Sequence, residues 1–239
     1  MPPALTEVDS TGARIMAAAL RLFGTKGYGA VGIREIALEA GISTAALYHY
    51  MRTKEDLLVA LMVDRLRRVI VAGRAATAGL EAPEKQLVGL VRVHIVSHGR
   101  YPETVIDQEV RSLSPQTRPG VVALRDEYED LWRTVLDEGV AAGVFDVPGP
   151  RTARLALLEM CSGVVNWYRP GGPISLSQVA DDFAELALAL VRARRGGRQL
   201  RLADLGLPPV SESEAIVAAA YEGAAAPALT LPGRDGDVA

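Results

Sequence analysis

Between Glu35 and Leu58 the chain reads EIALEAGISTAALYHYMRTKEDLL, which sets Ser43, Thr44, Tyr48, His49, Tyr50, Arg52 and Lys54 within one short span. On a helix, Thr44, Ala45, Tyr48 and His49 fall on the face away from Leu47, where no core satisfies them. Tyr and Thr hydroxyls can bond phosphate oxygens. The Thr44 methyl and Ala45 can touch thymine methyl groups, and the small Ala45 lets a helix sit deep in a groove. Lys54 stands in the first turn of the following helix, where its charge and the free backbone amides can hold a phosphate. The same residues also fit a compact helical hairpin in which Tyr48 and Tyr50 pack as ordinary amphipathic aromatics.

A polar face of this kind needs a scaffold, and the surrounding sequence supplies one. The spacing of Ile33, Ile36 and Ala37 predicts a helix to Ala40, Gly41 offers the left-handed residue that ends it, and Ser43 caps a brief helix anchored by Leu47. Ala37 is small where two helices cross, and Ile42 fills the space beneath the turn. This is the pattern of a helix-turn-helix, whose second helix enters the DNA major groove. Ahead of it, Ile15, Ala18, Ala19, Leu22 and Phe23 predict a helix from Thr11 to Lys26, stopped by Gly27. Behind it, Thr53 caps a helix running from Lys54 towards Arg74.

The rest of the chain is punctuated by proline. Helical patterns run from Pro83 to about His98, from Pro102 to Leu113, from Pro119 to Ala142, from Arg151 to Tyr168 and from Ser177 to Arg195. No segment shows sustained strand alternation, and there is no internal repeat. The expected fold is all-α, with about nine main helices: a three-helix helix-turn-helix domain over residues 1–54 and a larger helical domain over 55–195. From Gly196 to the end, Gly, Pro, Ala and charge dominate, with one weak helical candidate between Ser213 and Tyr221, so 196–239 reads as a mobile tail.

Composition bounds the function. In 239 residues, 49% apolar and 23% charged, there is material for a real core. The net charge of -3 hides an uneven distribution. Residues 1–54 hold Arg14, Arg21, Lys26, Arg34, Arg52 and Lys54 against Glu7, Asp9, Glu35 and Glu39, so a local positive face is available. The single cysteine, Cys161, excludes an internal disulfide and lies in an apolar run, where it reads as an inert core thiol. The N-terminus lacks an apolar signal region and no stretch reaches the roughly 18 apolar residues of a membrane span. A cytoplasmic location with no membrane partner is expected. No glycine loop cradles a phosphate, and no cofactor is expected.

The run LALLEMCSGVV is apolar nearly all round, which requires burial on two sides. In the last helix Val179, Phe183, Leu186 and Leu190 form a stripe with Ala180, Ala184, Ala187 and Val191 beside it. A two-fold interface using Leu158, Val165, Val179, Phe183, Leu186 and Leu190 explains both patterns, as does burial inside a single chain. In the long helix, Val121, Leu124, Tyr128, Leu131, Trp132 and Val135 face inward, and Arg125 falls in the same stripe. A buried Arg125 would pair with Glu109, Asp107 or Glu159, or face an anionic ligand; Arg111 and Arg118 share that ambiguity. Tyr128, Trp132, Met160, Asn166, Trp167 and Tyr168 have the composition of an apolar pocket with a few polar groups, and equally of a core.

Residues 10–62 resemble the DNA-binding domain of the tetracycline-repressor (TetR) family of bacterial transcription factors. The carriers are AALRLFGTKGY at 18–28, IREIALEAGIS at 33–43 and LYHYMRTKEDLL at 47–58. The resemblance implies a homodimer on a palindromic double-stranded operator, paired through its last two main helices. It places base and backbone contacts at Thr44, Ala45, Tyr48 and His49, with Arg34, Ser43, Tyr50 and Lys54 around them. Two residues depart from the family pattern: Gly32 stands where a Thr usually caps helix two and contacts phosphate, and Met51 replaces a Phe. The segment from about 103 to 190, with VVNWYRPGG at 164–172, resembles the TetR-like regulators that respond to acyl-coenzyme A thioesters. It implies an acyl or ring moiety in the apolar pocket, with Arg111 or Arg125 near phosphates or thioester, and release of DNA on binding. A drug-like apolar effector is the alternative. A metal-dependent enzyme is a further reading, since His94 and His98 lie at i and i+4 with Asp107, Glu109 or Glu103 as carboxylates, although no Glu between them completes a known motif.

Overall fold

Glycine and proline fix where the helices begin and end. In a computed structural model, which describes residues 5–101 and 109–222, the order is α1 (Leu5–Lys26), α2 (Ile33–Glu39), α3 (Thr44–Leu47), α4 (Lys54–Thr77), α5 (Pro83–Arg100), α6 (Arg118–Ala141), α7 (Pro150–Ser162), α8 (Val164–Trp167), α9 (Leu176–Leu190) and α10 (Val210–Glu222). Pro83 and Pro150 occupy first turns, where a missing N–H has no intrahelical partner to lose. Gly41 leaves α2 at φ 66°, a conformation open to glycine at little cost. The fold class is all-α. Among the described residues the sole strand pair is a short hairpin, Arg194–Arg195 against Arg198–Gln199, turned by Gly196 and Gly197 at φ 59° and 78°.

The chain divides into two units. The first comprises the described residues through Arg65 together with 109–122; the second comprises 66–101 and 123–222. The division therefore falls within α4 and α6, rather than at the expected boundary of residue 54. In the first unit, Ile15, Ala18 and Phe23 of α1, Ile36 and Ala37 of α2, and Leu47, Met51, Leu57 and Leu58 are all buried. Met51 is fully buried, where its flexible thioether can fit the space available.

The second unit is built around α5, whose residues from Leu87 to Val96 are almost all buried. Ala180, Ala184 and Ala187 lie at zero exposure on α9, and such small side chains let two helices approach closely. They bury within the protomer instead of at its surface. Gly89 does the same for α4 and α5, since a Cβ there would lie 2.6 Å from the carbonyl oxygen of Ala76.

Several elements differ from expectation. α1 begins at Leu5 rather than Thr11, and the expected helix from Arg151 to Tyr168 breaks at Gly163 into α7 and α8. The expected helix from Pro102 lies mostly outside the described residues; 109–112 form a 3-10 turn. α9 stops at Leu190, and Arg192 follows at φ 49°. The largest correction concerns the expected loose tail. Through residue 222 it is packed structure: the hairpin, a 3-10 turn over Leu202–Leu205 and α10, with Leu200, Leu205, Val210, Val217 and Ala220 buried. Gly and Pro interrupt its apolar pattern, but on α10 Val210, Val217 and Ala220 recur at helical spacing, enough to seat one face.

Candidate nucleic-acid interface

α3 is one turn long, so its position depends on its ends. Ser43 caps it by accepting the Ala46 amide N–H at Oγ, 3.1 Å away. At the other end the amides of Tyr50 and Met51 both donate to the Leu47 carbonyl, at 2.9 and 3.2 Å. Leu47 is fully buried, and this fixes the rotation of the helix. Ala45, Tyr48 and His49 are consequently exposed, Tyr48 to 49%, while Thr44 and Tyr50 are half-buried. Arg34 is exposed in the first turn of α2. These side chains present hydroxyl, imidazole, methyl and guanidinium groups outward, the arrangement of a surface that meets a groove.

The residues around α3 are held by polar ties. Arg21 bonds Glu39 through Nε and Nη2, at 3.1 and 2.7 Å, linking α1 to α2, and Lys26 pairs with Glu35. Both pairs are exposed, so they orient more than they stabilise. The Asp56 carboxylate accepts the amides of Arg52 and Thr53, both at 2.8 Å, while the Asp56 amide donates to Thr53 Oγ1 at 3.2 Å. This reciprocal cap of α4 is legible in the sequence Thr-Lys-Glu-Asp. The neighbouring Glu55 accepts the Ser114 amide at 2.8 Å and the Thr117 hydroxyl, and these bonds hold its carboxyl below the usual carboxylate range, Thr117 contributing most. Sequence reasoning missed this link, because nothing local to residue 55 points to residue 114.

Lys54 has partners within the chain. Its Nζ donates to the carbonyls of Tyr28 and Val31, at 2.8 and 2.9 Å, and lies 4.2 Å from the centre of the Tyr28 ring. Two donors of the ammonium are thus engaged in joining α4 to the turn after α1. Burial, then the negative charges of Glu55, Glu109 and Asp56, raise the Tyr28 hydroxyl above its ordinary pKa. Gly32 caps α2 without a side chain, and nothing lies within 4 Å of where its Cβ would be.

The expected sensor residues separate into two groups. Tyr128 and Trp132 are buried together, ring centres 6.4 Å apart. Tyr128 Oη lies 2.9 Å from His94 Nδ1, and His94 Nε2 lies 3.1 Å from Ser162 Oγ. His98 donates from Nδ1 to the His94 carbonyl, and the two imidazoles stack at 3.9 Å. These bonds engage both nitrogens of His94 and Nδ1 of His98, and among the described residues no group of His, Cys, Asp and Glu could hold a metal. Asp107 and Glu103 lie outside the described residues, and Glu109 accepts the Ser112 hydroxyl at 2.7 Å.

The second group is at the surface. Arg111, Arg125, Asn166 and Trp167 are exposed, and Met160 is half-buried. Arg125 therefore needs no buried partner: a long, flexible stem lets a guanidinium leave an apolar stripe for water. Arg118 Nη2 donates to the carbonyls of Arg111 and Leu113, at 3.2 and 2.6 Å. Cys161 is fully buried and its thiol is pushed up to about 12 by burial, so it is no nucleophile.

Of the residues assigned to an interface, Leu186 is 52% exposed and Trp167, at 48%, stacks on Phe183 with centres 6.0 Å apart. Leu155 is also exposed, and Leu158, Val165, Phe183 and Leu190 are half-buried. Val179 is 2% exposed and belongs to the protomer core. Among the described residues no helix is long and apolar enough to cross a membrane.

A one-turn helix held outward on a capped helix-turn-helix, in a chain that also carries a second helical unit, defines a DNA-binding regulator. Residues 15–61 match the family model for bacterial regulatory proteins of the tetR family, and 80–191 match the tetracyclin repressor-like C-terminal domain. The chain belongs to the TetR family. It is 27% identical over 185 residues to the HTH-type transcriptional repressor KstR2 of Mycolicibacterium smegmatis, spanning 75% of this chain and 90% of that protein. A tetR-family regulatory protein from Rhodococcus RHA1 is similar in structure with a TM-score of 0.73 and 30% identity, covering 77% of this chain and 98% of that one. AibR, solved with isovaleryl coenzyme A and operator DNA, shares the fold at a TM-score of 0.68 and 23% identity, over 74% of this chain and 97% of its own. The family and these relatives are transcriptional regulators, and the chain is a regulator rather than an enzyme.

Proposed function

We propose that the chain is a homodimeric repressor that grips a palindromic operator with α3 and releases it when a small hydrophobic effector enters the second unit. The observation that carries this reading is the outward set on α3, Thr44, Ala45, Tyr48 and His49, held in place by buried Leu47 and the Ser43 cap. Tyr48, His49 and Thr44 meet bases and backbone, while Ser43, Tyr50 and the exposed Arg34 add phosphate contacts. Lys54 supports the site from inside through Tyr28 and Val31.

Two copies are required because half-sites of a palindrome lie about one DNA turn, ~34 Å, apart. The partner is a second copy of this chain, and the surface that supports it is the apolar one of α7, α8 and α9: Leu155, Leu158, Val165, Trp167, Phe183, Leu186 and Leu190. Exposed large apolar residues concentrated on neighbouring helices are what an interface between copies leaves on a single chain.

For the effector, the supporting observation is the polar set inside the second unit. Trp132 Nε1 and Ser97 Oγ are buried with no hydrogen-bond partner among the described residues, beside the His94, Tyr128 and Ser162 chain. A buried donor without an acceptor costs about 1–3 kcal/mol, and an effector oxygen at Trp132 would recover it. An acyl-coenzyme A thioester fits this requirement, and AibR was solved with one. Binding acts by favouring a conformation of lower DNA affinity.

Selection of duplexes from a random pool tests the reading: the wild-type protein enriches an inverted repeat, and Tyr48→Ala binds it about ten- to a hundredfold more weakly with the dimer intact. Enrichment of no sequence would overturn it. Thermal shift with isovaleryl coenzyme A against the free acid then separates thioester from acid recognition.

A further inference from the structure

The sequence beyond Val191 lies past the end of the matched family domain, yet it is folded and tied down. Its ties run along α5 and α9. Arg195 reaches the buried Glu84 in the first turn of α5, bonding Oε1 through Nε and Nη2 at 3.0 and 2.6 Å. The Leu202 amide donates to Glu185 at 3.1 Å, and Ser177 Oγ donates to Glu214 at 2.9 Å. Arg92 on α5, 6% exposed, grips Asp181 through Nε and Nη2 and uses Nη1 to hold the Pro208 carbonyl at 2.8 Å, just before α10 starts.

The far end of α10 reaches a different helix. Arg68 of α4 donates through Nη1 to the Tyr221 carbonyl, one of the last carbonyls of α10, and its guanidinium carbon lies 5.6 Å from the centre of the Tyr221 ring. A cation at a helix C-terminus satisfies an orphan carbonyl and complements the dipole. The Tyr221 ring also stacks on Tyr101, the residue that caps α5, at 4.0 Å and 7° between planes. One residue therefore joins α10 to both α4 and the end of α5.

We infer that residues 194–221 form a strap that holds the trailing half of α4 in place, and that this restraint tightens DNA binding. The second half of the proposal rests on the reading of the chain as a dimeric operator-binding repressor. α4 runs from Lys54, which supports the helix-turn-helix, to Thr77, and the strap fixes it at Arg68. A helix already held in one position gives up less freedom when two recognition helices must match a fixed half-site spacing. Loosening it spreads the dimer over more arrangements and reduces the fraction ready to bind.

The test uses the full chain. Amide hydrogen exchange over residues 66–77 should rise about tenfold in Tyr221→Ala, and affinity for a duplex selected by the wild type should fall about fivefold. Tyr221→Leu keeps apolar bulk but loses the ring contacts, and gives the same two changes should the alanine variant fold poorly. Arg198→Ala removes an exposed ion pair to Asp204 in the same segment and should alter neither reading. Unchanged exchange over 66–77 both in the Tyr221 variants and in Arg68→Ala, which loses the bond to the Tyr221 carbonyl, would overturn the strap. Raised exchange with unchanged or tighter DNA binding would overturn its effect on affinity. A wild-type chain that selects no duplex would remove the operator reading and that effect with it, while exchange still decides whether the strap restrains α4.

Discussion

The two units place their polar chemistry on opposite sides of their scaffolds. In the first, an apolar interior of Ile15, Ile36, Leu47 and Met51 pushes Tyr48, His49 and Arg34 out to solvent. In the second, His94, Tyr128, Ser162 and Trp132 sit inside the helical packing, and the apolar Leu155, Trp167 and Leu186 are outside. An inverted arrangement of this kind marks different ligands. Under the proposed function, a macromolecule that cannot be enclosed is met by polar groups on a surface, whereas a small effector is enclosed, leaving apolar surface free for a second copy of the chain.

The contrast can be broken at several points. The largest effect is expected from Leu186→Asp, which puts a charge on the outward apolar face. It should yield monomers in light scattering and lower operator affinity about a hundredfold or more, since two linked half-site contacts become one. A persistent dimer would move the interface elsewhere. Lys54→Met comes next. With its bonds to the Tyr28 and Val31 carbonyls gone, thermal unfolding should report a loss of about 1.5–3 kcal/mol. Full stability with weakened DNA binding would instead return Lys54 to a phosphate.

Smaller effects sharpen the account of the first unit. Glu55 has a folded pKa below its unfolded value, so its contribution is present above the unfolded value and lost as pH falls through the folded one. Glu55→Gln should therefore be less stable than the wild type at neutral pH, with the gap closing in acid. A gap independent of pH would show that packing, not charge, is responsible. Gly32→Thr has room for its Cβ and restores a capping hydroxyl to α2. Stability should rise by only a few tenths of a kcal/mol, and operator binding should tighten through the added phosphate contact. Weaker binding would mean that the backbone at Gly32 approaches DNA too closely for a side chain.

How much could be read in the sequence follows the same division. The helix-turn-helix was legible because its determinants are local: Gly41 at the turn, Ser43 three residues from the amide it caps, and Leu47 one turn on. Lys54 was placed correctly at the start of α4, but its bonds could not be read from the sequence, because its partners lie at Tyr28 and Val31, far back in the chain. In the second unit the helices could be read from their periodicity, but the side chains could not. The pairing of His94 with Tyr128 and Ser162 depends on three helices meeting, and Arg125 reached solvent through a flexibility that spacing does not encode. The tail misled because Gly and Pro break up its apolar pattern, while long-range anchors such as Arg92 to Pro208 and Arg195 to Glu84 hold it in place.

The central claim is that the outward face of α3 reads DNA. Its most direct test is the dissociation constant for a selected inverted repeat, measured against a scrambled duplex over a range of salt. The account predicts saturable binding at least a thousandfold tighter to the repeat at moderate salt, weakening as salt rises because counterions are released from phosphates. Equal affinity for both duplexes, or no binding to either, would contradict it.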